Sequence, residues 1–318
     1  MSTLSQSSLL LAMSSPPYWH CGRTVLRRSL DQILALLPAL AMAILNWGMP
    51  ALRVVALSVV VCVLVEAACC RIMHRRQTVQ DFSAVVTGMC LAFLLPAASP
   101  WWLVVLGASA AMLFGKMLFG GLGDNPVSTP IVGWAILFVS YPLFMDPNMV
   151  QLATSYEDPL AILKYLGVER AGEISLTDLV LGRQIGALGA SQIGGLLVGG
   201  FYLLMRGVIR WQIVAGMLCG VLLPFAILHA ASDVPTMGPA FHLLTGSVLF
   251  CTFFIATDSN VAPTHTLAML LYGATCGVMV FLIRTFGSYT DGAPFAVLVT
   301  SLLTPYFDLI RPKPFGVR

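Results

Sequence analysis

The sequence predicts an all-α polytopic membrane protein of about ten transmembrane helices, arranged as a 5+5 inverted repeat with broken helices. Composition is the first reason: 58% of the 318 residues are hydrophobic and only 10% are charged. Mean hydropathy is +0.88, and a soluble domain would carry about a quarter charged residues. The second reason is that apolar runs recur from residue 32 to residue 310, most of them near the ~20 residues that cross a bilayer as a helix. The third is a pair of polar, Pro-closed breaks in the two halves, at residues 87–96 with 124–130 and at residues 245–264. Paired interruptions of this kind point to a binding site in inverted-repeat membrane proteins. The runs are continuous rather than alternating, which argues against a β-barrel.

The chain divides into a cytoplasmic N-terminal segment (1–28), a first five-helix repeat (29–145), an outer, periplasmic loop (146–185), a second five-helix repeat (186–310) and a cytoplasmic tail (311–318). The short run Leu9-Leu10-Leu11-Ala12-Met13 lacks a basic flank, so a cleaved signal peptide is not expected. A first helix at 30–47 ends in the turn Gly48-Met49-Pro50, and a second at 51–70 stops at a basic stretch. A third at 82–97 ends at Pro96. The fourth, at 100–118, runs into Gly120-Gly121-Leu122-Gly123-Asp124-Asn125-Pro126, and the fifth covers 129–145. Beyond the hydrophilic loop, helices are expected at 188–205, 211–231, 239–256, 264–284 and 293–310.

Charge sets the orientation. With the N-terminus cytoplasmic, 12 of the 17 basic residues fall on the inner side, Lys116 among them, and Arg53, Lys164, Arg170, Arg183 and Arg284 on the outer side. The positive-inside rule therefore places both termini inside. Trp47, Trp101 and Trp102 mark outer helix ends as interfacial anchors. Five helices per half make the halves enter from opposite sides, and Val86-Thr87-Gly88 against Leu244-Thr245-Gly246 supports the repeat, as does Asp124-Asn125 against Asp258-Ser259-Asn260.

Asp258 and Asp124 sit at the breaks, where charge at membrane depth is expensive and is usually kept for function. Ser128, Thr129, Ser259 and Asn260, together with freed backbone groups, suit hydrogen bonds to a heterocycle or coordination of a cation. The competing reading is that both acids cap the next helix at a water interface. Glu66 is placed to pair with Arg71 or another neighbour, with an ion-path role as the alternative. No metal or iron–sulfur site is expected, because His242 and His265 share no ligand spacing and the eight cysteines contain no CxxC. Gly115, Gly194-Gly195 and Gly199-Gly200 suit close helix packing rather than a phosphate cradle. Nothing points to nucleic acid. These residues alone define a transporter, a channel or a membrane redox subunit.

Several segments together resemble the RnfD/NqrB family, the flavin-carrying membrane subunits of ion-translocating electron-transport complexes, and within it the D-type subunit of Rnf (Rsx) complexes. They are Ser15-Pro16, Ser83-Ala84-Val85-Val86-Thr87-Gly88, the stretch from Phe119 to Pro126, Ala256-Thr257-Asp258 with Ala262-Pro263-Thr264, Ile283-Arg284-Thr285-Phe286-Gly287-Ser288-Tyr289, Phe295-Ala296-Val297-Leu298 and Leu303-Thr304-Pro305. The resemblance implies the ten-helix inverted repeat and a bacterial inner-membrane location. It also implies partner subunits of the A, E, G, C and B types, and electron transfer coupled to Na⁺ or H⁺ movement. One FMN would be held covalently on a threonine of the outer loop, and a second flavin, riboflavin or FMN, without a covalent link.

The acceptor motif, Ser-x-Ala-Thr-Pro-Leu in the family, reads Ser155-Tyr156-Glu157-Asp158-Pro159-Leu160 here. Asp158 replaces the acceptor threonine. A carboxylate cannot form the same stable phosphoester, and each of the two new charges repels a phosphate by about 1 kcal/mol. Thr154 and Ser155 are out of register, so covalent FMN is expected to be absent. Trp134 replaces a family arginine, and Ser301 a family asparagine. The expectation is a divergent member of the family, a subunit of a redox-driven translocase with no self-contained active site. Thr87, Gly88, Asn125, Pro126, Thr245, Gly246, Thr257 and Asp258 would contact a non-covalent flavin or an ion. The alternatives are a solute transporter or channel of the same fold, or a structural scaffold of the complex.

Overall fold

The computed structural model describes residues 24–74, 78–147, 156–231 and 236–310. Helix α1 (Val25–Trp47) begins five residues earlier than expected, because the Thr24 side chain accepts from the Arg27 amide at 3.3 Å and caps the first turn. Gly48, at φ +67°, reverses the chain into α2 (Met49–Ile72). Then follow α3 (Ser83–Leu94), α4 (Trp101–Ala110) with a π-wound continuation Ala111–Met117, α5 (Thr129–Ser140) and the short α6 (Pro142–Met145). The expected loop contains three short helices, α7 (Pro159–Tyr165), α8 (Val168–Gly172) and α9 (Leu176–Leu181).

The second half runs α10 (Leu188–Ser191), α11 (Ile193–Met205), α12 (Trp211–Ala231) and α13 (Pro239–Leu244). Next come α14 (Val248–Phe250), with a π-wound continuation Cys251–Ile255, then α15 (Thr266–Phe286), α16 (Ala293–Leu302) and α17 (Thr304–Phe307). Among the described residues there is no strand, only an isolated bridge between Pro96 and Ala187.

Four helices, α1, α2, α12 and α15, are long and apolar enough to cross a membrane, and five shorter apolar helices pack with them. Leu45, Leu64, Ile227 and Phe286 on these long helices are exposed. An outward apolar face on a helix of this length suits lipid rather than water. The chain is a multi-pass, all-helical membrane protein.

Small residues set how closely the helices approach. A Cβ on Gly277 would lie 2.5 Å from the Met217 carbonyl oxygen, and one on Gly216 would lie 2.5 Å from that of Leu270, so α12 and α15 meet backbone to backbone. Gly199 admits the Ala35 carbonyl in the same way and seats α11 on α1.

Two expected elements are revised, while Thr87 and Gly88 lie inside α3 as the expected helix 82–97 has them; there Gly88 lets Val59 approach and its carbonyl accepts from the Ser58 hydroxyl at 2.8 Å. The expected helix 239–256 is divided at residues 245–247, with Gly246 at φ +69°. The expected helix 293–310 stops at Leu302 and resumes as α17, which has Pro305 in its first turn. The two acidic breaks are also not in register as copies, since Asp258 follows Gly246 by 12 residues and Asp124 follows Gly88 by 36.

Replacing Gly277 by valine should force α12 and α15 apart and destabilise the protein by about 1–3 kcal/mol, the usual range for overpacking. Thermal unfolding of the detergent-solubilised protein reads this as a lowered melting temperature, and an unchanged value would contradict the close contact.

Candidate functional site

Two π-wound segments lead into two breaks in the apolar helices, residues 118–128 and 256–265. Such segments leave the regular backbone ladder and recur at functional sites. The breaks come together near the end of the molecule where α1 begins. Ser128 donates to Asp258 Oδ2 at 3.3 Å, the Asn260 amide donates to Asp258 Oδ1 at 3.2 Å, and the Arg28 guanidinium of α1 donates to the Ser259 hydroxyl. Around them is a cavity of about 170 Å³. Arg28, Ser29 and Gln32 of α1, Ser83, Thr87 and Cys90 of α3, Lys116, Ser128, Thr129, Asp258, Ser259 and Asn260 line it, with Val25, Val86, Leu122, Pro130 and Phe254 as apolar walls.

Of the residues expected to bind a ligand, Thr87 and Asp258 line this cavity. Gly88 faces α2. Thr257 is buried with its hydroxyl on the Phe253 carbonyl at 2.6 Å, and Thr245 bonds the Phe241 carbonyl in the same way at 2.8 Å. Asn125 is buried behind the wall, donating to the Thr129 hydroxyl at 2.9 Å and leaving its own Oδ1 without a partner. Asp124 and Pro126 are exposed.

Gly246 belongs to a different place. It lines a second cavity, of about 360 Å³, at the opposite end, together with Asp146, Asp158, Trp134, Ser247, Tyr289 and Asp291. The eight residues of α14 and its continuation separate Ser247 from Ala256, a rise of roughly 12 Å at 1.5 Å per residue. The stretch 245–264 therefore serves two sites rather than one. Asp158 caps α7, accepting from the Leu160 amide at 3.0 Å. Thr154 and Ser155 lie outside the described residues. Trp134 fills its space with edge-to-face contacts to Phe295 at 4.8 Å, and Ser301 bonds the Leu298 carbonyl at 2.7 Å.

The sequence reading placed Lys116 at the inner surface and paired Glu66 with a near neighbour; the structure buries both. Lys116 Nζ lies 2.5 Å from Glu66 Oε1 and 2.8 Å from Ser83 Oγ, and the Thr78 hydroxyl donates to the same Glu66 oxygen at 2.6 Å. Glu66 Oε2 is buried without a partner. The signal for this pair was one acid and one base in separate apolar runs, since charges within such runs often pair with one another. Arg284, expected at the outer surface, is buried as well. It donates to the carbonyls of His242 at 2.5 Å and Thr245 at 2.8 Å and to Asp291 at 3.2 Å, while Asp291 accepts from the Ser247 amide at 2.8 Å. This pair satisfies the backbone freed at the 245–247 break.

Interrupted helices that meet at a polar cavity are an arrangement in which multi-pass membrane proteins form binding sites. The chain belongs to the NQR2, RnfD, RnfE family, whose model matches residues 12–316. It is 32% identical over 352 aligned positions to the D subunit of the ion-translocating oxidoreductase complex of Salmonella newport (strain SL254), covering 98% of this chain and 99% of that protein. The proteins of the same description from Salmonella agona (strain SL483) and Salmonella typhimurium (strain LT2) match to the same extent.

Lys116→Met should leave Glu66 as a buried unpaired charge and destabilise the protein by about 3–5 kcal/mol. The double variant Glu66→Gln/Lys116→Met should recover most of this. A double variant no more stable than the single one, measured by thermal unfolding in detergent, would show that the two charges do not depend on each other.

Proposed function

We propose that this chain is the flavin-holding membrane subunit, of the D type, of an Rnf-type ion-translocating electron-transport complex in a bacterial inner membrane. Electrons pass through it between partner subunits of the A, E, G, C and B types, coupled to Na⁺ or H⁺ movement. Full-length similarity to proteins described as the D subunit of an ion-translocating oxidoreductase complex supports the assignment to a complex. The observation that carries the flavin is the cavity between the two breaks, where hydroxyls, an amide, two cations and a carboxylate surround apolar walls.

The residues present fit an isoalloxazine ring. Its polar edge alternates acceptors with an imide donor, and its faces are apolar. Arg28, Gln32, Ser128 and Thr129 supply donors, Asp258 supplies an acceptor, and Val86, Pro130 and Phe254 supply apolar surface. A bound flavin would supply one- and two-electron redox chemistry, and the protein would bind, orient and tune it. Arg28 brings positive charge to the cavity, which favours negative charge gained on reduction, while the charge of Lys116 is met by Glu66. Asp258, held by Ser128 and the Asn260 amide, orients the far wall.

Ten spans in a 5+5 inverted repeat, both termini cytoplasmic, complete the reading. The helix order supports it: α1 to α5 precede the loop, and α11, α12, the interrupted α13–α14, α15 and α16 follow it, with one Thr-Gly pair inside α3 and the other at the α13–α14 interruption. At the far cavity, Asp158 stands where the family's acceptor threonine would be. Asp146 and Asp291 line the same space, Asp291 paired with Arg284, and position 158 offers no hydroxyl to esterify. The flavin is non-covalent.

The purified complex should release flavin on acid denaturation and show no flavin fluorescence in the band of this chain on a denaturing gel. A fluorescent band would overturn the non-covalent assignment, and a colourless complex with all partners present would overturn the flavin. Asp258→Ala and Arg28→Ala should each lower retained flavin about tenfold, the loss expected for one charge-assisted hydrogen bond. Retention at the level of the unaltered protein would place the cofactor elsewhere.

A further inference from the structure

We propose that the far ends of α12 and α15 carry a separate site for a phosphate-bearing ligand, supplied by an anionic phospholipid headgroup or by free phosphate. The site is a third cavity, of about 290 Å³, and its polar lining includes Lys164 of α7, His242 of α13, Arg284 of α15 and Thr290. Its inner wall is already built. The Arg284 side chain is 3% exposed, and its terminal nitrogens are committed to the His242 and Thr245 carbonyls and to Asp291. Its Nε–H is buried with no acceptor. The His242 ring lies face to face with Phe225 at 3.6 Å between centroids, and its Nδ1 is likewise buried without a partner. Buried polar atoms with no partner are rare in folded proteins and call for one.

Lys164 adds a charge at the rim. It gives two of its three protons to the Gly287 carbonyl at 2.7 Å and the Tyr289 carbonyl at 2.9 Å. Asp291 balances Arg284 from the other side, so the charge of Lys164 is left over. The described lining residues include no Asp or Glu.

The neighbouring far cavity has the opposite character. Leu160 and Thr290 line both spaces, yet that cavity carries Asp146, Asp158 and Asp291. The charge of Lys164 draws an anion arriving at this end to the site. Lys164 of a loop helix and Arg284 of α15 both line the space and suit an oxyanion. Leu163, Val168 and Leu228 add apolar surface where α12 reaches the end of its span, which is where a phospholipid would bring both its headgroup and its first acyl carbons. The site does not depend on which cofactor the cavity between the breaks holds.

The test is thermal unfolding of the full-length protein under two comparisons. One sets inorganic phosphate against chloride at equal ionic strength in detergent. The other sets nanodiscs of phosphatidylglycerol against nanodiscs of phosphatidylcholine. The unaltered protein should melt higher with the phosphate-type anion in at least one comparison. A response to phosphate alone identifies a free anion, and a response only in phosphatidylglycerol identifies the lipid. Lys164→Gln should weaken the half-maximal response about tenfold, as expected for loss of one charge-assisted hydrogen bond. His242→Phe, which keeps the stack on Phe225, should weaken it in the same direction. No response in either comparison, or the full response in both variants, would overturn the site.

Discussion

A helix that stops at membrane depth leaves amide and carbonyl groups with no water to turn to, and this protein supplies their partners from distant parts of the chain. At residues 245–247 the partners are Arg284 and Asp291, one reading two carbonyls and the other an amide. Where α3 ends, the Leu95 carbonyl accepts from the Leu188 amide at 3.0 Å. At the two acidic breaks, Asp258 serves both its own turn and Ser128 of the other segment. Each interruption is therefore fixed by long-range contacts, and each is rigid enough to shape a cavity. The close-packed pair α12 and α15 holds the frame in which this happens.

The three cavities differ in charge as the breaks differ in their partners. Between the acidic breaks, Arg28 and Lys116 meet Asp258 in a mixed setting. The cavity at the loop has three carboxylates, and the one beside it has Lys164 and Arg284. Asp158 contributes to this division as a helix-capping carboxylate. Lys116 lines the first cavity and is paired with Glu66 behind it, the two at 2% and 0% exposure. A buried pair of this kind is weak evidence for stability and better evidence for a specific role.

Much of the frame was legible in the sequence. Trp211–Ala231 falls where the apolar run predicts it, because basic and polar residues close the run on both sides. The helices α2 and α15 agree within two residues at each end. The 245–247 interruption was read as part of a helix 239–256, although Thr245-Gly246-Ser247 marks it, because the residues that satisfy the freed backbone lie 39 and 44 positions away. Lys116 read as a surface charge because its partner is 50 positions distant. Pattern along the chain identified Thr87 and Asp258, but only the packing of α1 against the breaks brought in Arg28 and Gln32. The family resemblance added the expectation of flavin and the significance of Asp158, neither of which hydropathy could supply.

The most direct test of a cofactor held between the two breaks is an experimental density map of the assembled complex. Planar density is expected between Thr87, Thr129 and Asp258, with Arg28 at its edge and nothing continuous with the backbone at Asp158. Ordered density for a flavin joined to the loop around residue 158, or a cavity between the breaks that holds only water or lipid, would contradict it.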